Sequence, residues 1–476
     1  MATASVIGAG PNGLSAAITM QQAGVRTTVL EAAETAGGAA RTGDITLPGF
    51  HHDLGSSVYP LGVASPFFNT LPLARYGHRW IEPYAALAHP LDDGTAVMLE
   101  HDLAATCKGF GDGSDAVAYK SLIKPLVDDW PSLCREVLGP VAHWPRSPLL
   151  LARFGIYAML PAAMLARSAF QGARARALFA GLAAHSVLPL TSPFSAAVGL
   201  VLATAGHTTG WPIAEGGAQQ LSNALAQHFE SLGGTIKVNH CVGSLTEAEP
   251  ADAVLCDVSP RQLLSIAGDR LDAGFRRRLA AFQHGPGAYK VDWALSEPIP
   301  WKANDCGRAA TVHVGGSFEE VVASEAAPWS RDAEIEVTKP FVLLVQPSLF
   351  DSTRAPAGRH TAWGYCHVRN GSLLSVYEVI EAQIERFAPG FRECILARTV
   401  TTPAQFESWN ANLVGGDLSG GAMTPKQLIF RPTSSLYGTG MPHVFLCSAS
   451  TPPGGGVHGM CGHLAGLRAL LGLKLG

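Results

Sequence analysis

Charge is scarce in this chain. Of its 476 residues only 15% are charged against 47% hydrophobic, and 38 acidic residues outnumber 34 Lys and Arg, for a net charge of −4. With that sign and no Lys/Arg-rich cluster, general nucleic-acid binding is excluded. The nine cysteines include no Cys-x-x-Cys pair, which argues against a zinc site, a disulfide framework and a redox dithiol; their odd number suits a reducing compartment. No run of 18 or more uncharged apolar residues has the character of a spanning helix. The chain opens directly on an apolar strand-like run, leaving no room for a signal or transit peptide, so a cytoplasmic location is expected. One further absence is local. From Val137 to Ala214 there is no Asp, Glu or Lys, while Arg146, Arg153, Arg167, Arg174 and Arg176 punctuate apolar, helix-like runs. Two readings stand: a buried helical subdomain, or an interfacial surface whose arginines meet anionic headgroups, giving peripheral membrane contact.

What is abundant is glycine, 52 residues, and its placement is informative. Val6-Ile7-Gly8-Ala9-Gly10-Pro11-Asn12-Gly13 follows a short apolar strand beginning at Ala4. It opens a helical pattern over Leu14 to Ala23 that Gly24 stops, and a β-branched strand, Thr27 to Leu30, then ends on Glu31. This is the dinucleotide fingerprint in its full context. Gly8 permits the tight turn, Gly10 lets the backbone approach a pyrophosphate, Gly13 lets helix and sheet pack closely, and Glu31 sits where it can accept from ribose hydroxyls. The helix N-terminus faces the diphosphate charge.

Loop-rich segments follow: Gly37-Gly38-Ala39-Ala40-Arg41-Thr42, then Pro48 to Ser57 with Gly55 and Ser56, all read as cofactor-proximal. Gly216-Gly217 opens a helix to about Ser231, and strands are expected over Thr235 to Val242 and Ala253 to Cys256. Tyr289 to Leu295, Phe341 to Val345 and Arg359 to Val368 read as strands of a separate sheet, the last two paired across the loop at Pro356. Toward the end, Val444 to Cys447 forms a strand, Ser448 to Thr451 leads into Pro452-Pro453-Gly454-Gly455-Gly456-Val457, and a helix runs to about Leu471. Strand, glycine turn and helix again aim backbone N–H groups at an acceptor, so the two glycine motifs are expected to clasp one long ligand.

Together the blocks VIGAGPNGLSAA, LPGFHHDLGSS, EGGAQQLSNALAQHFESLGG, PGAYKVDWALSEPIPW, SLFDSTRAPAGRHTAWGYCHV and LCSASTPPGGGVHGMCG resemble the phytoene desaturase-like family of FAD-dependent oxidoreductases over nearly the whole length. The resemblance implies an α/β protein with a discontinuous Rossmann-type FAD-binding domain and an inserted α+β substrate domain of mixed sheet plus helices. The expected division is 1–75, 211–268 and 426–476 for the FAD domain, with 76–210, helical, and 269–425, mixed sheet, for the substrate domain. Carried over by position, Gly8, Gly10, Pro11, Asn12 and Gly13 hold the diphosphate, Glu31 the ribose, and Val242 the adenine through its main chain. Gly38, Ala39, Arg41, Gly55, Ser56 and Ser448 line the cofactor, and Gly455, Gly456 and Val457 lie beside the flavin ring. One departure is visible: many relatives carry Arg directly after the double glycine, whereas Ala39-Ala40 here delays it to Arg41.

The implied activity is a dehydrogenase or desaturase of a hydrophobic small molecule, with flavin N5 accepting hydride and oxygen or a quinone-type acceptor reoxidising it. A reduced-flavin isomerase or saturase, an amine oxidase and a non-catalytic flavin-binding partner protein remain as alternatives. A nicotinamide site within the chain is not expected, because Gly285-Pro286-Gly287 and Gly415-Gly416 lack the strand-turn-helix context. No catalytic residue or metal site is assigned. His458 is read either as a proton handler or as a helix-start residue bonded to the backbone; Trp363, Tyr365 and His367 alternate and share one strand face. His51-His52 are read as turn residues.

Overall fold

The computed structural model describes residues 1–111, 113–330 and 338–474. Twelve strands build its two main sheets: β1 (Thr3–Ile7), β2 (Arg26–Leu30), β3 (Ala85–Pro90), β4 (Ala96–Leu99), β5 (Thr235–Lys237), β6 (Ala253–Cys256), β7 (Gly287–Leu295), β8 (Ala309–Val314), β9 (Val342–Val345), β10 (His360–Val368), β11 (Ile395–Thr401) and β12 (Val444–Leu446). The helices that matter below are α1 (Pro11–Gln22), α2 (Pro148–Ala158), α3 (Ala162–Ala169), α4 (Ala173–Ala184), α5 (Ser195–Gly206), α6 (Ala218–Ser231), α7 (Phe318–Ala326), α8 (Tyr377–Phe387) and α9 (Met460–Gly472).

The first sheet is parallel, ordered β12-β6-β1-β2-β5. Its strands read as continuous apolar runs because helices cover both faces of a parallel sheet. Strand β5 stops at Lys237, five residues short of the expected Val242. Asn239 adopts φ +54° there, and Asn239 and His240 donate their N–H groups to Ala33 and Glu31 carbonyls. A left-handed residue ends the pleat, so Val242 enters the buried cluster with Ile7 and Leu30 from a loop.

The second sheet has seven strands, ordered β11-β7-β10-β9-β8-β3-β4, antiparallel except at β8–β3. One face is apolar: Val291, Trp293, Val312, Val314, Val342, Leu344, Ala362 and Cys366 pack with Ile380, Ile384 and Phe387 of α8. The opposite face is polar, and it is covered by helices, with α4 lying over β3 and β8 through Gly181. Lys290 pairs with Tyr365, Tyr365 with Leu343 and Leu343 with His313, one row across four strands; Asp292, Trp363, Val345 and Thr311 form the next. The alternation read from sequence thus places Trp363, Tyr365 and His367 on this buried polar face.

Within the acid-free stretch, α4 and α5 are almost wholly buried whereas α2 and α3 keep an outward face. No single helix among the described residues is long and apolar enough to cross a membrane.

Candidate cofactor and substrate site

Strand β1 delivers Gly8 at φ +99°, a conformation open to glycine at no steric cost. A methyl group at Gly13 would lie 2.0 Å from the Gly8 carbonyl oxygen, so the turn closes only with glycine there. Helix α1 starts at Pro11, which has no N–H, with Gly10 as its N-cap and no side-chain cap; Asp257 takes the Gly13 N–H, which leaves those of Gly10 and Asn12 for an external acceptor. Beside them the buried Asn12 Oδ1 has no hydrogen-bond partner. Glu31, at the end of β2, accepts from Ala9 N at 2.6 Å and Ala33 N at 2.8 Å. These bonds fix its carboxylate against the glycine turn, with lone pairs to spare.

The far end of the chain comes to the same place. Gly459 and Gly462 lie against Ser15 and Asn12: a methyl group at Gly462 would be 1.8 Å from the Asn12 carbonyl oxygen. The N-terminal ends of α1 and α9 therefore abut, and both glycine motifs face the carboxyl edge of the parallel sheet, where open α/β sheets bind ligands. Gly456 is exposed, with Leu61 and His458 near its Cα, and the Val457 carbonyl approaches Gly62. Ser448 is buried, its Oγ accepting from Ser450 N. Arg431, which sequence reasoning missed, is fully buried and donates to the carbonyls of Ser419, Gly420, Gly421 and Ala449. It staples the 419–421 loop to the strand-turn that carries Gly454 to Val457.

Other expected residues assemble around the first turn. Gly38 packs against Gly10, and Gly55 against the Ala39 carbonyl. Ser56 Oγ lies 3.1 Å from the Tyr59 hydroxyl. Arg41 donates Nε to Gly38 O and stacks over Trp409 at 4.6 Å, half-buried rather than splayed into solvent. Val242 packs in the buried cluster with Leu30, at the end of β2. His458 is buried, its Nδ1 accepts from Met460 N, and burial pushes it down to about 4. The neutral imidazole serves the backbone there, which is the blander of its two readings.

Asp257, at the end of β6, accepts from Gly13 N at 2.8 Å and is pushed up to about 7 by burial, with Glu31 adding to the rise. An acid whose pKa is raised on folding costs stability as pH increases, because the unfolded chain releases its proton first. The apo protein should therefore lose stability between pH about 4 and about 7 through this group. Asp257→Asn removes the loss, so its unfolding temperature relative to the native protein should rise from pH 5 to pH 8. An equal difference at both pH values would show that Asp257 does not titrate in this window.

A buried ion cluster that the sequence reading missed ties the second sheet to the segment around Asp53. Lys290 Nζ donates to the Asp53 carbonyl at 2.9 Å and to both Asp292 oxygens at 2.5 and 2.6 Å. Asp53 itself accepts from Thr42 Oγ1, Ala218 N and Ser57 Oγ and lies 2.6 Å from Arg354 Nη2. Burial alone would raise its pKa, but the Arg354 guanidinium and those donors outweigh it and hold the carboxyl low. His52, buried, places Nδ1 3.5 Å from Asp292, while His51 pairs with Asp44 near the surface. From Lys290 the polar face continues through Trp363, 5.0 Å beneath the ammonium, to Tyr365, stacked on Trp363 at 6.0 Å. Beyond lie His185 and His313, Nε2 to Nε2 at 2.9 Å, and His367 paired with Glu325 at 2.7 Å. Burial pushes His185 down to about 3 and His313 well below its ordinary value, so both are neutral. A signal for Lys290 and Asp292 did exist: two charges spaced i, i+2 in an otherwise apolar strand share a face.

Residues 6–71 match the NAD(P)-binding Rossmann-like domain family. Over 97% of its length the chain is 29% identical to pyridine nucleotide-disulfide oxidoreductase domain-containing protein 2 of Mus musculus, covering 92% of that protein. A shorter stretch, 28% of either chain, is 32% identical to hydroxyneurosporene desaturase of Rhodobacter capsulatus. Among solved structures, an oxidoreductase from Methanosarcina mazei superposes with TM-score 0.67 at 14% identity, covering 98% of this chain and 100% of that one. The fold is a Rossmann-type α/β arrangement with a second, mixed sheet, shared with that oxidoreductase, as the motifs led us to expect. The nine cysteines are all free, and eight are buried.

Proposed function

We propose that this chain is an FAD-dependent oxidoreductase of the dehydrogenase or desaturase type, oxidising a hydrophobic small molecule and passing electrons to oxygen or a quinone. The observation that carries this reading is the meeting of the two glycine motifs, where the N–H groups of Gly10 and Asn12 and the buried Asn12 Oδ1 have no partner and the Glu31 carboxylate is fixed against the same turn. That set suits FAD: donors for a diphosphate, an acceptor for ribose, and exposed glycine backbone at Gly456 beside which a flat ring can lie. When bound, FAD supplies a two-electron hydride acceptor.

The chain's own part is to bind, orient and hold protons. The N–H groups of Gly10 and Asn12 bind the diphosphate, and Glu31 accepts from the ribose. Trp363 and Tyr365 offer an apolar wall for substrate. Lys290, immobilised by Asp292 and the Asp53 carbonyl, holds a proton at Nζ at one end of that wall, and the neutral His185–His313 pair offers hydrogen-bonding edges at the other. A second reading, amine oxidation, draws support from the buried Glu325 Oε1 on the same face, which has no hydrogen-bond partner and would favour a cation, whereas Asp53 and Asp292 are already paired with Arg354 and Lys290.

The purified protein should be yellow, with FAD released intact on denaturation. Under anaerobic mixing, NADPH alone should bleach it slowly, and a hydrophobic substrate should bleach it fast. Rapid bleaching by NADPH would replace this reading with a saturase or isomerase; bleaching by primary amines would select the second. A colourless protein indifferent to added FAD would remove the cofactor from the account.

A further inference from the structure

The outer helices of the acid-free stretch present an apolar surface that nothing among the described residues covers. Trp144 is 91% exposed, Leu149 87% and Ile156 62%, and Val141, Met159 and Met164 are exposed as well. On α2 the outward residues are Leu149, Ala152, Arg153, Ile156 and Tyr157, a single stripe at i, i+3, i+4, i+7 and i+8. The inward face carries Phe154 and Ala158, both buried. A helix apolar on both sides fits no fully solvated setting. Contiguous exposed patches of this kind mark interaction sites.

The exposure of Trp144 is built rather than incidental. Buried Glu136 accepts from Arg146 N at 2.8 Å, Ser147 N at 2.7 Å and the His143 ring. Burial would raise its pKa, but His143 and the two backbone donors hold it low. This anchored loop turns Trp144 outward and leads straight into α2. After α2 the chain bends by 94° into α3, so the pair lies along the surface as an angled platform.

Charge identifies the occupant. Arg146, Arg153 and Arg167 are exposed around the patch, and no acidic residue or lysine occurs from 138 to 214. The neighbouring groove at Arg153 holds Lys120, Lys124, Asp128 and Asp129, with Lys124 and Asp128 already paired at 2.6 Å; its balance is positive. An outward Trp, aliphatic side chains interleaved with arginine and a positive rim are what an interfacial helix needs to sit among anionic headgroups. We infer that α2, α3 and the loop before them dock this protein on an anionic lipid surface, peripherally, with Trp144, Leu149 and Ile156 inserted below the headgroups. This surface is independent of which substrate the buried polar face takes.

Co-sedimentation with vesicles of phosphatidylcholine alone, and of phosphatidylcholine mixed with phosphatidylglycerol, tests this. The native protein should pellet at least about tenfold better with the anionic vesicles at low salt and be released by high salt. The triple variant Trp144→Ser, Leu149→Ser, Ile156→Ser should stay in the supernatant with unchanged melting temperature, since all three side chains lie outside the core. The inference fails if native protein ignores both vesicles at low salt, or if the variant pellets equally well. It also fails if light scattering shows a vesicle-free dimer that the triple variant dissociates, because the surface would then belong to a second copy.

Discussion

Replacing Lys290 by Met should destabilise the folded protein by about 3–5 kcal/mol, the cost of stranding a buried charge without its partner. Asp292 has no exposed side-chain surface, and its remaining neighbour is His52 at 3.5 Å, charged only when protonated. Met preserves the length and packing of the lysine stem, so the loss reads the charge rather than a cavity. The double variant Lys290→Met, Asp292→Leu removes both charges and should recover most of the deficit, because well-packed apolar pairs replace buried ion pairs at little cost. Urea denaturation of the FAD-loaded protein supplies the cycle. If the single variant unfolds at the native midpoint, the ammonium is not what neutralises Asp292. Should the double variant regain stability without regaining flavin reduction by substrate, the proton at Nζ would be needed for the chemistry as well as for the fold.

Glu31→Gln should weaken FAD binding about 10- to 150-fold, the equivalent of losing charge-assisted hydrogen bonds worth about 1.5–3 kcal/mol. The amide keeps the shape of the carboxylate, but it turns an NH2 group toward either Ala9 N or Ala33 N, both of which Glu31 now satisfies. The effect thus combines a lost ribose acceptor with a loosened glycine turn. Titration of apo-protein with FAD, followed by quenching of flavin fluorescence, measures it. Glu34→Gln, at an exposed position three residues on, is the control and should change nothing. Identical dissociation constants for Glu31→Gln and native protein would mean that the ribose is held elsewhere.

The parts of this site that are local in sequence were legible there. Gly8, Gly10, Gly13 and Glu31 announce themselves because turn, close approach and acceptor fall within a single strand-helix-strand unit, and Gly454 to Val457 repeat that local grammar. The shared face of Trp363, Tyr365 and His367 follows from a period of two. What escaped is set by pairing between distant segments. Lys290 meets the Asp53 carbonyl across 237 positions, Arg431 finds four carbonyls from two loops, and Asp257 reaches the first glycine turn from another strand. No spacing rule encodes such meetings. Strand β5 was read too long because residues 235–242 have strand-like composition, while the turn at Asn239 is imposed by its hydrogen bond to Ala33. The acid-free stretch, for which two readings stood, contains both kinds of helix: α4 and α5 are core, and α2 and α3 face outward.

The strand order of the parallel sheet also sets a timetable for synthesis. Val254 of β6 pairs with Val444 of β12, so one edge of β6 waits for the intervening chain and β12 to leave the ribosome. At about 5–20 residues per second that wait is about 10–40 s. Throughout it the growing chain carries an unpaired, apolar strand edge and half a cofactor cradle, since α9 has not yet been made. Nascent protein of this design depends on whatever shields that edge in the interval, and a dinucleotide can be enclosed between the two glycine motifs only after α9 emerges.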